Sequence, residues 1–193
     1  MKNIIFLSFG IVLLCLGTSA KEYEFKDFEK AKESSNFLEF QVVSTKIGLW
    51  SDKVIGHVKK FNTEAVISKR GDLISSKNMK VEFPVEMMDT NSESRDEKLH
   101  NFCLAKKDHP TISLVITDEV LFNGKEHIVE GTLNIRGESK RVKLTLKINE
   151  LEKGRYEISG SGLFSLKELS IPDPSIAVAK LSDEITIRFH FQH

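Results

Sequence analysis

Cysteine, proline, tyrosine and tryptophan are all scarce in this chain, and so is any excess of charge. Two cysteines, Cys15 and Cys103, four prolines, two tyrosines and one tryptophan are spread over 193 residues, and 28 basic side chains balance 28 acidic ones. Such neutrality excludes the basic field a nucleic-acid partner would need to neutralise phosphates. No Gly-x-Ser-x-Gly, no phosphate-cradling glycine loop, no paired-carboxylate motif and no His-x-x-x-His pair is present, so the usual sequence marks of nucleophilic, nucleotide-dependent or zinc-dependent catalysis are missing. Internal repeats, low-complexity stretches and linkers are absent too, and a single domain follows.

One long apolar run exists, at the start. Ile4 to Leu16 is broken only by Ser8 and Gly10, follows Lys2, and gives way to Thr18-Ser19-Ala20. A positive n-region, an apolar centre and small residues at −3 and −1 are the features of an export signal cleaved after Ala20. The run falls short of the roughly 20 residues that a bilayer-spanning helix requires, so the expected chain 21–193 has no transmembrane segment. Cys15 would be the acylated residue of a lipoprotein, but Leu14 stands where a small residue is wanted. Removal of residues 1–20 takes away one lysine and no acid, and leaves Cys103 as the remaining cysteine. The expected product is a periplasmic or secreted domain without an intrachain disulfide, held together by packing and a closed hydrogen-bond ladder.

What is abundant is alternation. In 79–87 every odd position is apolar and every even one is charged or Pro84; Val142, Leu144, Leu146 and Ile148 alternate with polar neighbours, as do Ile185, Ile187, Phe189 and Phe191. Leu38, Phe40 and Val42 repeat the pattern, and so do Ile112, Leu114 and Ile116. A period of two puts one face of a strand on a core and the other in water. Asn123-Gly124 is a strong hairpin signal, and Gly137 and Gly154 punctuate the next connections. The pattern predicts strands near 36–45, 54–69, 72–88, 111–122, 126–136, 140–151, 155–166 and 183–192. About eight long antiparallel strands with short turns suit an all-β, closed up-and-down barrel, which removes exposed edges. Pro84 has no N–H to donate and is expected at a bulge or an unpaired site. Two segments break the pattern. Thr90 to Glu93 has capping-box form and Leu99, Phe102 and Cys103 follow at helical spacing, predicting a short helix from Ser92 to Leu104. Ile171-Pro172-Asp173-Pro174 cannot continue a strand, and Ser175 to Leu181 is expected as a turn of helix over a barrel mouth.

The chemistry-bearing residues read as structural. Histidines 57, 100, 109, 127, 190 and 193 lack ligand spacing and are expected to face solvent or cap backbone, with no metal or cofactor held. Cys103, beside Phe102 and on the face of Leu99, has the setting of a buried thiol, not of a nucleophile served by His109. Thr90 is expected to close the helix start, Asp89 and Glu93 to favour its positive end, and Arg95 with Asp96 to form an ion pair tying the helix to the rim. No catalytic residue is expected. The 13 phenylalanines serve equally for a filled core or for the wall of a dry cavity.

The run Met88-Asp89-Thr90-Asn91-Ser92-Glu93-Ser94-Arg95-Asp96-Glu97-Lys98-Leu99, followed by His109-Pro110-Thr111-Ile112-Ser113-Leu114, resembles the signature of the YceI-like polyisoprenoid-binding family. The segment Val129 to Val142, with Gly131, Leu133, Ile135 and Gly137, resembles that family's hairpin further on. The likeness is best from Val54 to Leu146 and poorer before it. It implies an exported lipocalin-like barrel holding a long isoprenoid or other acyl lipid in its interior. Departures fall where a pocket and its rim would be shaped: Lys46-Ile47-Gly48 where the family often has a histidine, His109 and Leu114 for aromatic residues, and Ser165 to Pro172 in place of an arginine-containing segment. With faces assigned by alternation, Val81, Phe83, Leu144, Leu146, Ile187 and Phe189 are the candidate cavity-lining residues. The first functional expectation is therefore a carrier or sequestering protein for a long-chain lipid, as monomer or homodimer. The second is a solid barrel in the cell envelope whose loops bind a protein partner.

Overall fold

The computed structural model describes residues 19–46, 50–152, 154–176 and 179–193. Residues 1–18, most of the expected export segment, lie outside that set, as do 47–49. Among the described residues the strands are β1 (Ser19–Glu24), β2 (Phe37–Lys46), β3 (Trp50–Val58), β4 (Lys60–Arg70), β5 (Leu73–Pro84), β6 (Met88–Asp89), β7 (Thr111–Ile116), β8 (Val120–Phe122), β9 (His127–Ile135), β10 (Glu138–Glu152), β11 (Arg155–Ser165) and β12 (Ala179–Gln192). Helix α1 (Phe28–Glu33) joins β1 to β2; helix α2 (Glu93–Lys98), continued by a π-helical turn over Leu99–Cys103, lies between β6 and β7. All strands join one antiparallel sheet in the order β1-β4-β5-β7-β9-β10-β11-β12-β2-β3-β6, with β8 beside β5.

That order closes into a barrel because β3 and β4 are one run bent at Lys59. Below the bend β3 pairs with β2 and β6; above it β4 pairs with β1 and β5. Lys59 takes part on both sides, its N–H donating to Met87 O and its carbonyl accepting from Phe25 N, each at 2.8 Å. The strand β5 likewise continues into β6 after a 3₁₀ turn over Val85–Met87. Counted as runs, β2, β3–β4, β5–β6, β7–β8, β9, β10, β11 and β12 make the eight staves, and β1 fills the place beside β4 that β2 leaves. The expected strands 54–69 and 72–88 are these two bent runs. Pro84 ends β5 opposite Thr111, where the strand turns into the 3₁₀ segment and its missing N–H costs nothing.

Turn chemistry follows the glycines. Arg136 and Gly137, at φ 52° and 74°, make a two-residue connection between Ile135 and Glu138, the left-handed pair that matches strand twist. Inward faces carry the alternating apolar residues, among them Leu38, Phe40, Met79, Ile112, Val142, Leu144, Ile148 and Phe191, all buried. Phe40 lies across Gly56 on the neighbouring strand, so close that a Cβ there would come within 2.1 Å of its ring.

Four expectations change. The strand 111–122 is interrupted at Thr117-Asp118-Glu119, because β7 and β8 pair with two parts of β5 separated by Lys77 and by Asn78, which has φ 52°. The helix over 92–104 forms, but its cap, Ser92, makes no side-chain bond. Thr90 is instead held by the helix, its N–H and Oγ1 donating to Asp96 Oδ1 at 2.9 and 2.6 Å while Arg95 donates to Thr90 O at 2.7 Å. Arg95 and Asp96 therefore clamp Thr90, each from its own side. No helix forms over the described part of Ser175 to Leu181: Ile176 and Ala179 bridge each other and β12 starts at Ala179. Finally, β1 and α1 were not expected, although Tyr23 and Phe25 alternate with charge and Asp27 caps α1 by accepting from Lys30 N at 3.0 Å.

Candidate functional site

The barrel has two unlike ends. The β4–β5 turn, the β8–β9 turn and the chain's last residues mark one; the end of β2 and the start of β3, the β9–β10 turn, the β11–β12 connection and α2 mark the other. The half toward the first end is plugged by aromatic rings. Tyr23 stacks on Phe61 at 4.8 Å, Phe61 meets Phe191 at 6.2 Å, and Phe191 meets Phe189 at 5.8 Å. Phe61, Phe122 and Ile148 have no exposed surface there. Burial, partly opposed by a hydrogen bond with Thr63, pushes the Tyr23 hydroxyl up to about 12, so it stays a neutral donor to Gln192 O.

Toward the α2 end the interior opens into a cavity of about 170 Å³. Its walls are Leu38, Phe40 and Val42 of β2, Val81 and Phe83 of β5, Ile112 and Leu114 of β7, Leu144 of β10, and Ile185, Ile187 and Phe189 of β12. Leu99, Cys103 and Leu104 beneath α2, with Leu166, Leu169, Ile171 and Pro174 of the β11–β12 connection, cover its mouth. These two covers are fastened to each other and to the rim: Lys98 Nζ donates to Pro174 O, Arg136 donates to the carbonyls of Phe102 and Cys103, and Lys140 donates to Ser170 Oγ at 3.2 Å. Among the described residues Glu39 is the one charged residue at the wall, and its carboxylate is occupied by Arg188, whose Nε donates to Oε1 at 3.0 Å. An apolar chain is what such a space can take; it offers nothing to bond a polar head.

Of the candidate lining residues, Val81, Phe83, Leu144, Ile187 and Phe189 reach this cavity. Leu146 does not. One step further up β10, it lines a separate void of about 30 Å³ with Met79, Ile116, Ile158 and Phe191. Val81, Leu114 and Phe189 border both spaces and form the partition. Phe189 can lie there because its cross-strand partner is Gly160, where a Cβ would approach the ring to 2.6 Å. The covers, Leu99 to Leu104 and Leu166 to Pro174, were not among the residues picked out by alternation, since neither segment is a strand; only the i, i+3, i+4 spacing of Leu99, Phe102 and Cys103 pointed to one of them.

Cys103 is buried and lines the cavity, and burial raises its thiol above the ordinary range, the reverse of nucleophile activation. His109 lies instead over the backbone of Gly137. Among the described residues no group of three or more His, Cys, Asp and Glu side chains converges as a metal would require, and no helix is long and apolar enough to cross a membrane. Several histidines bond backbone or neighbouring side chains, as His100 does with Met88 O at 2.7 Å and His190 with Glu157 at 2.9 Å. His57 departs from that pattern: it is buried under the edge of Phe28 from α1.

Solved structures with the same architecture share little sequence with this chain. BcnA of Burkholderia cenocepacia superposes with a TM-score of 0.64 at 16% identity, covering 81% of this chain and 96% of its own. A Campylobacter jejuni YceI protein gives 0.62 at 21% identity, covering 77% and 92%. A polyisoprenoid-binding domain from Saccharophagus degradans, implicated in plant cell wall breakdown, gives 0.59 at 14% identity, covering 82% and 92%. Comparison with curated proteins returns no match. The sequence itself matches the YceI-like domain over residues 29–193, from within α1 to the last residue, and the chain belongs to the YceI-like family.

Proposed function

We propose that this protein is an exported, non-catalytic carrier that holds the apolar chain of an isoprenoid or other long-chain lipid inside its barrel. The observation that carries the reading is the cavity of about 170 Å³, walled by apolar side chains and placed between an aromatic plug and a covered mouth. Two further findings support it: membership of the YceI-like family, and the likeness to a solved domain described as polyisoprenoid-binding. Each CH₂ taken from water is worth about 0.8 kcal/mol, so tail burial alone supplies affinity without a strong polar contact. The space sets a limit, however. A cavity of about 150 Å³ is known to hold one benzene ring, so the volume present accommodates roughly one isoprene unit. A longer tail needs the partition of Val81, Leu114 and Phe189 to give way toward the second void, or the covers at the mouth to part. Export by the segment 1–20 with cleavage after Ala20 belongs to the same reading, and it would leave β1 as 21–24.

Native mass spectrometry of the protein purified without detergent tests this directly, because it reports bound lipid and oligomeric state together. A lipid adduct is expected, lost in Val42→Phe, which fills the cavity from β2. Cys103 gives an independent readout: a bound chain should slow its reaction with an apolar maleimide. A protein that carries no extractable lipid and takes up no long-chain fluorescent fatty acid would overturn the proposal.

A further inference from the structure

Three large apolar side chains stand in water around the mouth of the cavity. Trp50 is 73% exposed, Ile176 54% and Phe102 50%. They follow one another along the rim. Trp50 is the register partner of Lys46, Lys46 of Ala179, and Ala179 of Ile176. Two residues before Ile176, the carbonyl of Pro174 receives Lys98, and that ammonium lies 5.9 Å from the centre of the Phe102 ring. Cys103, next to Phe102, and Pro174, two residues from Ile176, line the cavity itself. The exposed apolar arc is therefore continuous with the opening.

We infer that this rim docks on a lipid bilayer, inserting Trp50, Phe102 and Ile176 into the interface so that the cavity mouth faces the membrane. The inference rests on the lipid-carrier reading, because a tail that costs about 0.8 kcal/mol per CH₂ to expose must pass between bilayer and barrel without crossing water. The shape of the arc favours a fluid surface over a protein partner. Its three side chains stand apart around an opening, with polar residues between them, and do not form one continuous patch to be matched by a rigid face. Tryptophan is also the side chain best suited to the bilayer interface, with an apolar ring system and one N–H to keep wet. The attraction is apolar more than ionic: Lys46 is paired with Asp52 at 2.9 Å, and Lys98 is engaged by Pro174 O. The opposite end offers a comparison. Leu73, Leu121, Ile128 and Leu151 are exposed there to 36%, 43%, 77% and 42%, but they lie toward the aromatic plug and none of them neighbours the larger cavity in sequence as Phe102 neighbours Cys103.

Trp50 is the sole tryptophan and reports on its own insertion. The lipid-free protein is mixed with phosphatidylcholine vesicles, with and without brominated chains, at low and high salt. Expected are a blue shift of Trp50 emission, quenching by the brominated lipid, and co-flotation that survives about 0.5 M salt, where the Debye length is only a few ångströms and long-range attraction is screened. Phe102→Ser with Ile176→Ser should lower the bound fraction about tenfold, while Leu73→Ser, Leu121→Ser and Leu151→Ser together leave it unchanged. Unaltered emission on vesicle addition, binding that is lost at high salt, or equal loss in the far-end variant would each overturn the inference. Uptake of a soluble short-chain fluorescent fatty acid, measured without vesicles, separates the two readings. Docking without uptake removes the carrier reading; uptake without docking removes this one.

Discussion

At the scale of single residues, the polar contacts that matter sit where strands change partners. Lys59 is the bend between β3 and β4, and its ammonium lies 2.9 Å from Asp89 Oδ2 on β6, both side chains being half-buried. Burial pulls the Asp89 carboxyl upward, but bonds from Lys59 and from the N–H of Asn91 outweigh it and hold the group below its ordinary 3.8. A carboxyl lowered in the fold contributes stability that is present above its unfolded value and lost as the pH falls through the folded one. Asp89→Asn should therefore cost about 1–3 kcal/mol at neutral pH and should flatten the acid limb below pH 3.8 in denaturant titrations. His57 acts in the opposite region. Burial lowers its imidazole below 6.5; Glu39 opposes this, Lys32 and Arg188 add to it, and Glu29 opposes it again. Its Nδ1 is buried with no hydrogen-bond partner among the described residues, and Asp89 is its register partner on β6. The unfolded chain binds the proton more readily, so stability falls as the pH drops below 6.5. In thermal melts the wild type should lose more between pH 7.5 and 5.5 than His57→Gln does; equal losses would count against the buried imidazole.

At the scale of elements, alternation made most of the barrel legible and also set the limit of what could be read. Val142 to Ile148 and Ile185 to Phe191 announce β10 and β12 because each faces a core on one side and water on the other. The same rule cannot see that 54–69 changes neighbours at Lys59, since a strand keeps its period while its partners switch. Nor could it say that Leu146 faces a different void from Leu144, two residues away on the same face. Residues over the mouth are least legible, because 166–174 has no period and the sequence of Ser175 to Leu181 suggests a helical turn where an antiparallel bridge of Ile176 with Ala179 forms. The α2 region was half legible. Its spacing gave the helix, but the bonding of Thr90 depends on where β6 ends. Thr90 is buried and satisfies Asp96 twice, so Thr90→Val removes one of those bonds and one that Arg95 Nε makes to the hydroxyl at 3.2 Å. A loss of about 1–3 kcal/mol is expected, seen first as faster amide exchange in 93–103 because that segment is anchored there. Uniform loosening of the whole barrel would contradict the local anchor.

For the whole molecule, the division into a plugged half and an open half sets a trade between stability and capacity. The plug gives the far half a close-packed core, whereas the cavity forgoes contacts that a filled barrel would have. Phe189 stands at the boundary, stacked on Phe191 and seated against Gly160. Phe189→Ala should join the larger cavity to the smaller void and leave one elongated space running toward the plug. The cost is that of a large-to-small core change, about 3–5 kcal/mol, so the variant should melt well below the wild type. Its preference should shift the other way: relative to the wild type, longer fatty chains should gain affinity over shorter ones, because the partition no longer stops the tail. Ligand that binds only the folded state raises stability in proportion to RT ln(1 + [L]/Kd), so the melting temperature of Phe189→Ala should recover more with a long chain than with a short one. Gly160→Ala keeps the ring in the partition, but its new Cβ would meet both that ring and the backbone carbonyl of Thr145, so β11 itself must shift against β10. It should lose stability without gaining preference for length, and a matching gain in both variants would mean that the tail does not pass Phe189.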